Sequence, residues 1–265
     1  MLNVFLVGHF RRTTRIEANE NCKVALITGG NKGLGLEIAR QLTEKGVVVV
    51  LGSRDLACGE SAAKTLQNKG LSARAVKLDV TNADDIAALS EFLSREFGRL
   101  DILVNNAGAM NESHGEWQLS TVTTISEAEL RATFDANFFG AVAVTRALLP
   151  LLLQSDAGRI VNQSSILASL SMHADPQSPI YQTKPFAYNA SKTALNAFTI
   201  HLAYELRDTK IKVNASHPGW VQTDMGTDAA PLRVQDGAKT AVELALLPHS
   251  GPSGGYFHLG ESLPW

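Results

Sequence analysis

The sequence predicts a single α/β domain: a doubly wound parallel sheet of about seven strands with helices on both faces. Three observations carry this. A length of 265 residues suits one large α/β domain better than two ordinary ones. Apolar runs such as Val47–Leu51 do not alternate with polar residues, which suits strands covered on both faces. These runs alternate along the chain with amphipathic stretches, and so many alternations imply right-handed crossovers. No repeat, low-complexity tract or Pro/Gly linker divides the chain, so residues 22–265 are expected to form one domain.

Residues 1–21 read as a loosely attached extension. Leu2–Val7 is apolar, but Arg11, Arg12 and Arg15 follow it, the reverse of a secretory signal. A small added strand or a partner contact is the other reading. The strand candidates are Lys23–Thr28, Val47–Leu51, Ala73–Leu78, Ile102–Asn105, Arg159–Asn162, Lys210–Ala215 and Tyr256–Leu259. The first helix places Leu34, Ile38 and Leu42 four apart, and Gly46 offers a left-handed stop. Thr81-x-x-Asp84 and Ser126-x-x-Glu129 each resemble a capping box.

Composition narrows the function. A formal charge of −2 lacks the field of a nucleic-acid binder. Two cysteines, Cys22 and Cys58, exclude a disulfide scaffold and a cysteine zinc site, and make a reducing, cytoplasmic setting the expectation. No apolar run approaches the roughly 18–20 residues of a membrane span, so no membrane partner is expected. The seven histidines show no metal-binding spacing, and a hydrolase elbow G-x-S-x-G is missing.

The first strand runs into Thr28-Gly29-Gly30-Asn31-Lys32-Gly33-Leu34-Gly35 and then the first helix. Glycine serves where backbone must turn sharply and approach a ligand, and a helix N-terminus suits a pyrophosphate. That placement points to a dinucleotide. It is not a Walker loop, since no Gly-Lys-Ser/Thr follows at the required spacing. Asn105-Asn106-Ala107-Gly108, Tyr188-x-x-x-Lys192 and Pro218-Gly219 follow in order. Over Lys23–Gly260 the chain resembles the short-chain dehydrogenase/reductase family, which implies a Rossmann-type fold. Gly29-Gly30-Asn31-Lys32-Gly33, Asn137-Phe138-Phe139-Gly140 and Pro218–Met225 resemble its carbonyl-reductase-like members most.

An NAD site wants a carboxylate at the end of the second strand. Here Ser53-Arg54 stands there, with Ser53 lying 53 − 35 = 18 residues past Gly35. Arg54 could bond a 2′-phosphate, with Lys32 as a second cation, so the cofactor is read as NADP(H). Asp55 could pair with Arg54 or start the next helix. The resemblance implies a cofactor surface of Gly29, Asn31, Lys32, Gly33, Leu34, Gly35, Ser53, Arg54, Ala107, Pro218, Gly219 and Val221. It further implies that Asp79 and Val80 meet the adenine, Asn106 and Gly108 line the ribose and nicotinamide side, and Thr223 bonds the carboxamide. Tyr188 and Lys192 also belong to the cofactor contacts.

Tyr188 and Lys192, four apart, share one helix face. Bringing a phenol from about pH 10 toward 7 takes about 3 units, roughly 4 kcal/mol. A nearby ammonium and the oxidised nicotinamide ring could together supply that. The resemblance implies that Ser165, more than Ser164, bonds the substrate oxygen, and that Asn137 holds a water in a proton relay to Lys192. A bend-capping role is the plainer reading of Asn137. The separation 188 − 165 = 23 is long, because His173–Pro185 is extra. Its prolines Pro176, Pro179 and Pro185 suggest an ordered loop, and its Tyr181 is a decoy, followed four on by Pro185. His217 reads as structural and Cys58 as inert.

The expected activity is reduction of a ketone or aldehyde by NADPH, with Tyr188 as proton donor. Met110, Trp117, Ile166, Leu167, Met172, Phe186, Trp220 and Met225 suggest an apolar carbonyl substrate. Alcohol oxidation and a non-catalytic NADP-binding sensor are the alternatives. A dimer or monomer is expected, with helix faces near Ala141–Leu149 and Asn196–Leu206, including Phe198 and Leu202, turned outward.

Overall fold

The computed structural model describes residues 22–112, 114–115, 118–119 and 121–265. The extension at 1–21 and Trp117 lie outside the described residues. In chain order β1 (Val24–Thr28), α1 (Gly33–Glu44), β2 (Val48–Ser53), α2 (Leu56–Gln67), β3 (Ala73–Lys77) and α3 (Ala83–Phe97) come first. β4 (Ile102–Asn105) precedes a small ribbon of β5 (His114–Gly115) and β6 (Gln118–Leu119). One continuous helical segment follows: α4 (Glu127–Phe134), a π-helical turn over Asp135–Phe139, and α5 (Gly140–Leu152). β7 (Arg159–Gln163), a 3₁₀ turn at Ile166–Ala168, α6 (Leu170–Ala174) and α7 (Phe186–Glu205) come next. β8 (Lys212–Ser216), α8 (Val234–Gly237), α9 (Lys239–Ala245), β9 (Tyr256–His258) and β10 (Glu261–Ser262) complete the described elements.

The main sheet has eight strands in the order β10-β9-β8-β7-β4-β1-β2-β3. Its paired strands are parallel except β9 and β10. Seven are those expected from the sequence. β10 is an eighth that no apolar run marks, because both of its residues are exposed. Along each buried strand, side chains alternate between two cores. Leu26, Val50, Leu103 and Ile160 pack with α3, α5 and α7 on one face. Ile27, Leu51, Val104 and Val161 pack with α1, α2 and α9 on the other. Each such side chain contributes about 1.5–3 kcal/mol when fully buried.

Helix ends show how local chemistry sets the boundaries. Gly46, at φ +82°, follows α1 in the left-handed region, and its N–H reaches Thr43 O at 3.0 Å. The capping box forms at Ser126 and Glu129. At α3 the cap is Asn82, not Thr81: Asn82 Oδ1 accepts from the Asp84 and Asp85 amides, while the Thr81 amide and hydroxyl both bond Asp79.

Two other expectations need correction. Leu202 is buried, and Phe198 packs against the same core, so neither forms an outer face; Ile200 and Tyr204 are the exposed large side chains of α7. The extra segment is not wholly loop, since α6 takes in His173 and Ala174 before turns carry the chain past Pro176. By length and composition the segment Glu127–Leu152 could cross a membrane, yet Val144, Leu148 and Leu152 are buried on the sheet.

Candidate active site

The sheet order changes direction between β1 and β4, and ligands of such sheets bind at the carboxyl ends of the strands there. The glycine loop lies at that edge. Gly29 (φ +62°) and Gly33 (φ +53°) are left-handed. A Cβ on Gly35 would strike the Gly29 carbonyl oxygen and stand 2.5 Å from Asn106 Nδ2. Asn106 Nδ2 donates to Thr28 O at 2.8 Å and Gly29 O at 3.2 Å, pinning the loop to the end of β4. Lys32 precedes α1 without a side-chain cap, so the first-turn amides of a 12-residue helix face outward for an anion. The loop therefore fits a dinucleotide pyrophosphate.

At the end of β2, Ser53 is buried and its hydroxyl donates to Asp55 O at 2.7 Å. Asp55 caps α2, accepting from the Cys58 amide at 3.0 Å. Asp55 thus starts the helix, and Arg54 is exposed with no ion-pair partner among the described residues. Lys32 differs from expectation. Its ammonium pairs with Asp224 at 2.5 Å, bridging the glycine loop and the loop after β8. Asp79 closes β3's exit by accepting from Thr81, and Val80 is buried where a Cβ on Gly140 would come within 2.6 Å of it.

The reacting centre is assembled on α7. Tyr188 and Lys192 are both buried, and the Lys192 ammonium lies 5.8 Å from the Tyr188 ring centre. Lys192 Nζ donates to Gln163 O at 2.7 Å, and burial pulls its pKa down from 10.5 to about 8. Burial pushes the Tyr188 phenol above the usual tyrosine range, and a hydrogen bond with the Ser165 side chain only partly offsets this. The lowering that the sequence suggested is not a property of the protein alone. Ser164 and Ser165 separate cleanly: the Ser164 hydroxyl is spent on Asn196 Oδ1 at 2.6 Å, whereas Ser165 is the one beside Tyr188.

Asn137 sits in the π turn, a geometry common at functional sites. Its Oδ1 accepts from Ala109 N at 2.7 Å, and its Nδ2 donates to Ala109 O at 2.9 Å and Ser191 Oγ at 3.0 Å. The side chain is a staple between the loop after β4 and α7. Beside it, a Cβ on Gly108 would come within 3.0 Å of Asn137 Oδ1 and 3.4 Å of Lys192 Nζ. Gly108 therefore leaves a cradle facing the pair.

The loop after β8 forms the opposite wall. Gly219 is left-handed at φ +84°, Val221 is buried, and Trp220 and Met225 are exposed. Thr223 Oγ1 accepts from Gly226 N at 3.2 Å, and Thr223 stands beside Gly33. His217 is buried and accepts from the amides of Ile166 (3.1 Å) and Gly219 (3.3 Å). Burial and neighbouring His258 depress its pKa to about 3, so it stays neutral and holds the two loops together. The decoy Tyr181 lies outside this cluster, under the Lys184 ammonium at 4.8 Å. Among the described residues no group of three or more metal-binding side chains stands together.

Several participants carry no motif. Asn105 Nδ2 bonds Asn162 Oδ1 at 2.8 Å, and Asn162 Nδ2 bonds Thr199 Oγ1 at 2.8 Å, tying β4 through β7 to α7. Tyr256 donates its hydroxyl to the carbonyl of Ser165. Glu112, also buried, accepts from the Tyr188 amide. Only the asparagine before Asn106-Ala107-Gly108 falls within a recognised signal.

Known proteins resemble this chain in sequence and fold. The chain is 34 % identical to carbonyl reductase [NADPH] 1 of Mus musculus, over 91 % of this chain and 98 % of that one. The structure of salutaridine reductase from Papaver somniferum superposes with a TM-score of 0.77 at 31 % identity, covering 89 % of this chain and 99 % of that one. NADPH-bound carbonyl reductase from chicken fatty liver gives 0.79 at 25 % identity, covering 92 % and 99 %. The model of short chain dehydrogenases matches residues 23–231, a span holding both the glycine loop and the start of α7, and the chain belongs to that family.

Proposed function

We propose that this protein reduces ketones or aldehydes to alcohols with NADPH, Tyr188 donating the proton. The observation that carries the reading is the buried Tyr188–Ser165 pair with the Lys192 ammonium behind it. When bound, the cofactor supplies the hydride that reaches the carbonyl carbon. The Ser165 hydroxyl bonds the substrate oxygen as negative charge grows there. Tyr188, which burial keeps protonated, delivers its proton to that oxygen. Lys192, its pKa lowered to about 8, returns a proton toward the phenol from solvent by way of a water that Asn137 holds.

At the other end Arg54 bonds the 2′-phosphate, and Ser53 leaves room for it by being no acid. Lys32 joins Arg54 once it leaves Asp224. Gly29, Asn31, Gly33, Leu34 and Gly35 hold the pyrophosphate, Asp79 and Val80 the adenine, and Asn106, Ala107 and Gly108 the ribose. Pro218, Gly219, Val221 and Thr223 hold the carboxamide. The relatives named for NADPH and for carbonyl reduction support this reading. The substrate is an apolar carbonyl compound: Ile166, Leu167 and Met172 are half-buried near Ser165, and exposed Trp220 and Met225 face solvent on the opposite loop.

A panel of ketones and aldehydes followed by NADPH absorbance tests this. Turnover of activated apolar ketones is expected. A folded, NADPH-binding protein inert toward the whole panel would favour a sensor instead.

A further inference from the structure

Helix α7 has no cap of its own. Its N-cap residue is Pro185, which offers no side-chain acceptor, and its first turn holds no acid. The first amides of a helix find no partner within it and must be satisfied from elsewhere. Asn189 N reaches Pro185 O at 3.0 Å. The amide of Tyr188 itself donates to Oε1 of Glu112 at 2.7 Å, across 76 positions of sequence, and Glu112 is only 4 % exposed. Its side-chain oxygen serves as the acceptor that the cap position lacks, at the positive end of a 20-residue helix.

Glu112 also belongs to the loop that leaves β4 with Asn106, Ala107 and Gly108. Asn137 grips the same loop at Ala109 and reaches Ser191 on α7. The Ser191 hydroxyl donates in turn to Tyr188 O at 2.8 Å. Both backbone polar groups of Tyr188 are thus held by side chains: the amide by Glu112, the carbonyl by Ser191. Two separate attachments fix the loop to the first turn of α7.

We propose that Glu112 is a positioning residue for the reaction, acting through Tyr188. By accepting the Tyr188 amide it fixes the backbone from which the phenol meets Ser165. The inference rests on the reading of Tyr188 as proton donor and deepens it. Misplacing a reacting group by about 1 Å costs on the order of 100-fold in rate, so the attachment should register in turnover.

The test compares Glu112→Gln, Glu112→Ala and Glu112→Asp with the unaltered protein on one reducible ketone. kcat, KM and NADPH affinity by fluorescence are measured separately. Glu112→Ala and Glu112→Asp are expected to lower kcat by about 10- to 100-fold, with KM and NADPH affinity within about threefold. Glu112→Gln keeps an oxygen where Oε1 stands and should restore kcat to within about threefold. If the alanine variant does not fold, the contrast between Gln and Asp decides. Wild-type kcat in Glu112→Asp overturns the proposal, as does a Gln variant no better than Asp, or KM and NADPH affinity moving in step with kcat. Tyr188→Phe runs alongside. Turnover surviving in Tyr188→Phe sinks the donor reading and this one with it; turnover lost there but intact in all three Glu112 variants sinks this one alone.

Discussion

The two ends of the candidate site are built on different terms. At the reacting end Tyr188, Lys192, Asn137 and Ser191 are buried: Glu112 of the loop after β4 holds Tyr188, Asn137 of the π turn holds Ser191, and the Gln163 carbonyl of β7 holds Lys192. At the cofactor end Arg54, Lys32, Asp224, Trp220 and Met225 are exposed, and an exposed ion pair joins Lys32 to Asp224 across the mouth. Buried polar networks are costly to disturb because each member depends on the others in low dielectric. Exposed pairs are weak and screened by salt. The contrast separates fixed geometry, which bond-making needs, from a mouth that must admit and release a large charged molecule.

The comparison breaks first at Tyr188. Tyr188→Phe removes one hydroxyl, so NADPH binding should survive while turnover falls by about 10²–10⁴. Tyr181→Phe, outside the cluster, should leave turnover unchanged; reversal of the two results would place the chemistry on the extra segment. At the cofactor end the largest effect belongs to Arg54. A charge-assisted bond contributes roughly 1.5–3 kcal/mol, about 10- to 150-fold in affinity. Wild type should favour NADPH over NADH by at least about tenfold in kcat/KM, and Arg54→Ala should erase most of that. Equal efficiency with both cofactors in the wild type would remove Arg54 from the mouth.

Lys192 offers a smaller, purely thermodynamic reading. Burial lowers its pKa from 10.5 to about 8 in the folded protein. Between those values the unfolded chain binds more protons, so stability rises with pH. From pH 7.5 to 9.5 the gain is about 2 kcal/mol, and Lys192→Met should lose it. Urea unfolding of the cofactor-free protein at both pH values measures this, and equal pH slopes in the two proteins would mean that Lys192 is not desolvated. Smallest of all is Asp224→Asn. It releases Lys32, and NADPH KM should fall by less than about threefold at low salt and not at all at high salt. A tenfold change would show that the mouth is as constrained as the centre.

Much of this was legible in the sequence because it is local. The glycine loop and Gly46 are read from backbone demands, the strands from apolar runs, and Tyr188 with Lys192 from helical spacing together with their place in the order of family motifs. What the sequence hid depends on distant partners. Glu112 looks like any loop acid until Tyr188 arrives from 76 positions away. Lys32 reads as a free cation until the loop after β8 brings Asp224 to it. Asn105 and Asn162 are buried polar residues whose pairing exists only once β4 and β7 lie side by side. β10 is two exposed residues with no periodicity to read. The spacing Thr81-x-x-Asp84 cannot reveal that Asp79 already engages Thr81.

The π turn at Asp135–Phe139 has a consequence for how this chain tolerates change in length. Such a turn holds one residue more than an α turn and is, in effect, an insertion kept inside a helix. Each residue of an α-helix advances it by about 100°, a rotation that the wider turn absorbs. Deleting one of the five residues would let α4 and α5 run on as a regular helix with Val144, Leu148 and Leu152 still facing the sheet, but the widened turn that presents Asn137 would close. Substitutions within the turn leave its width untouched. The segment around Asn137 is therefore forgiving in spelling where side chains face solvent, as at Phe139, but unforgiving in count.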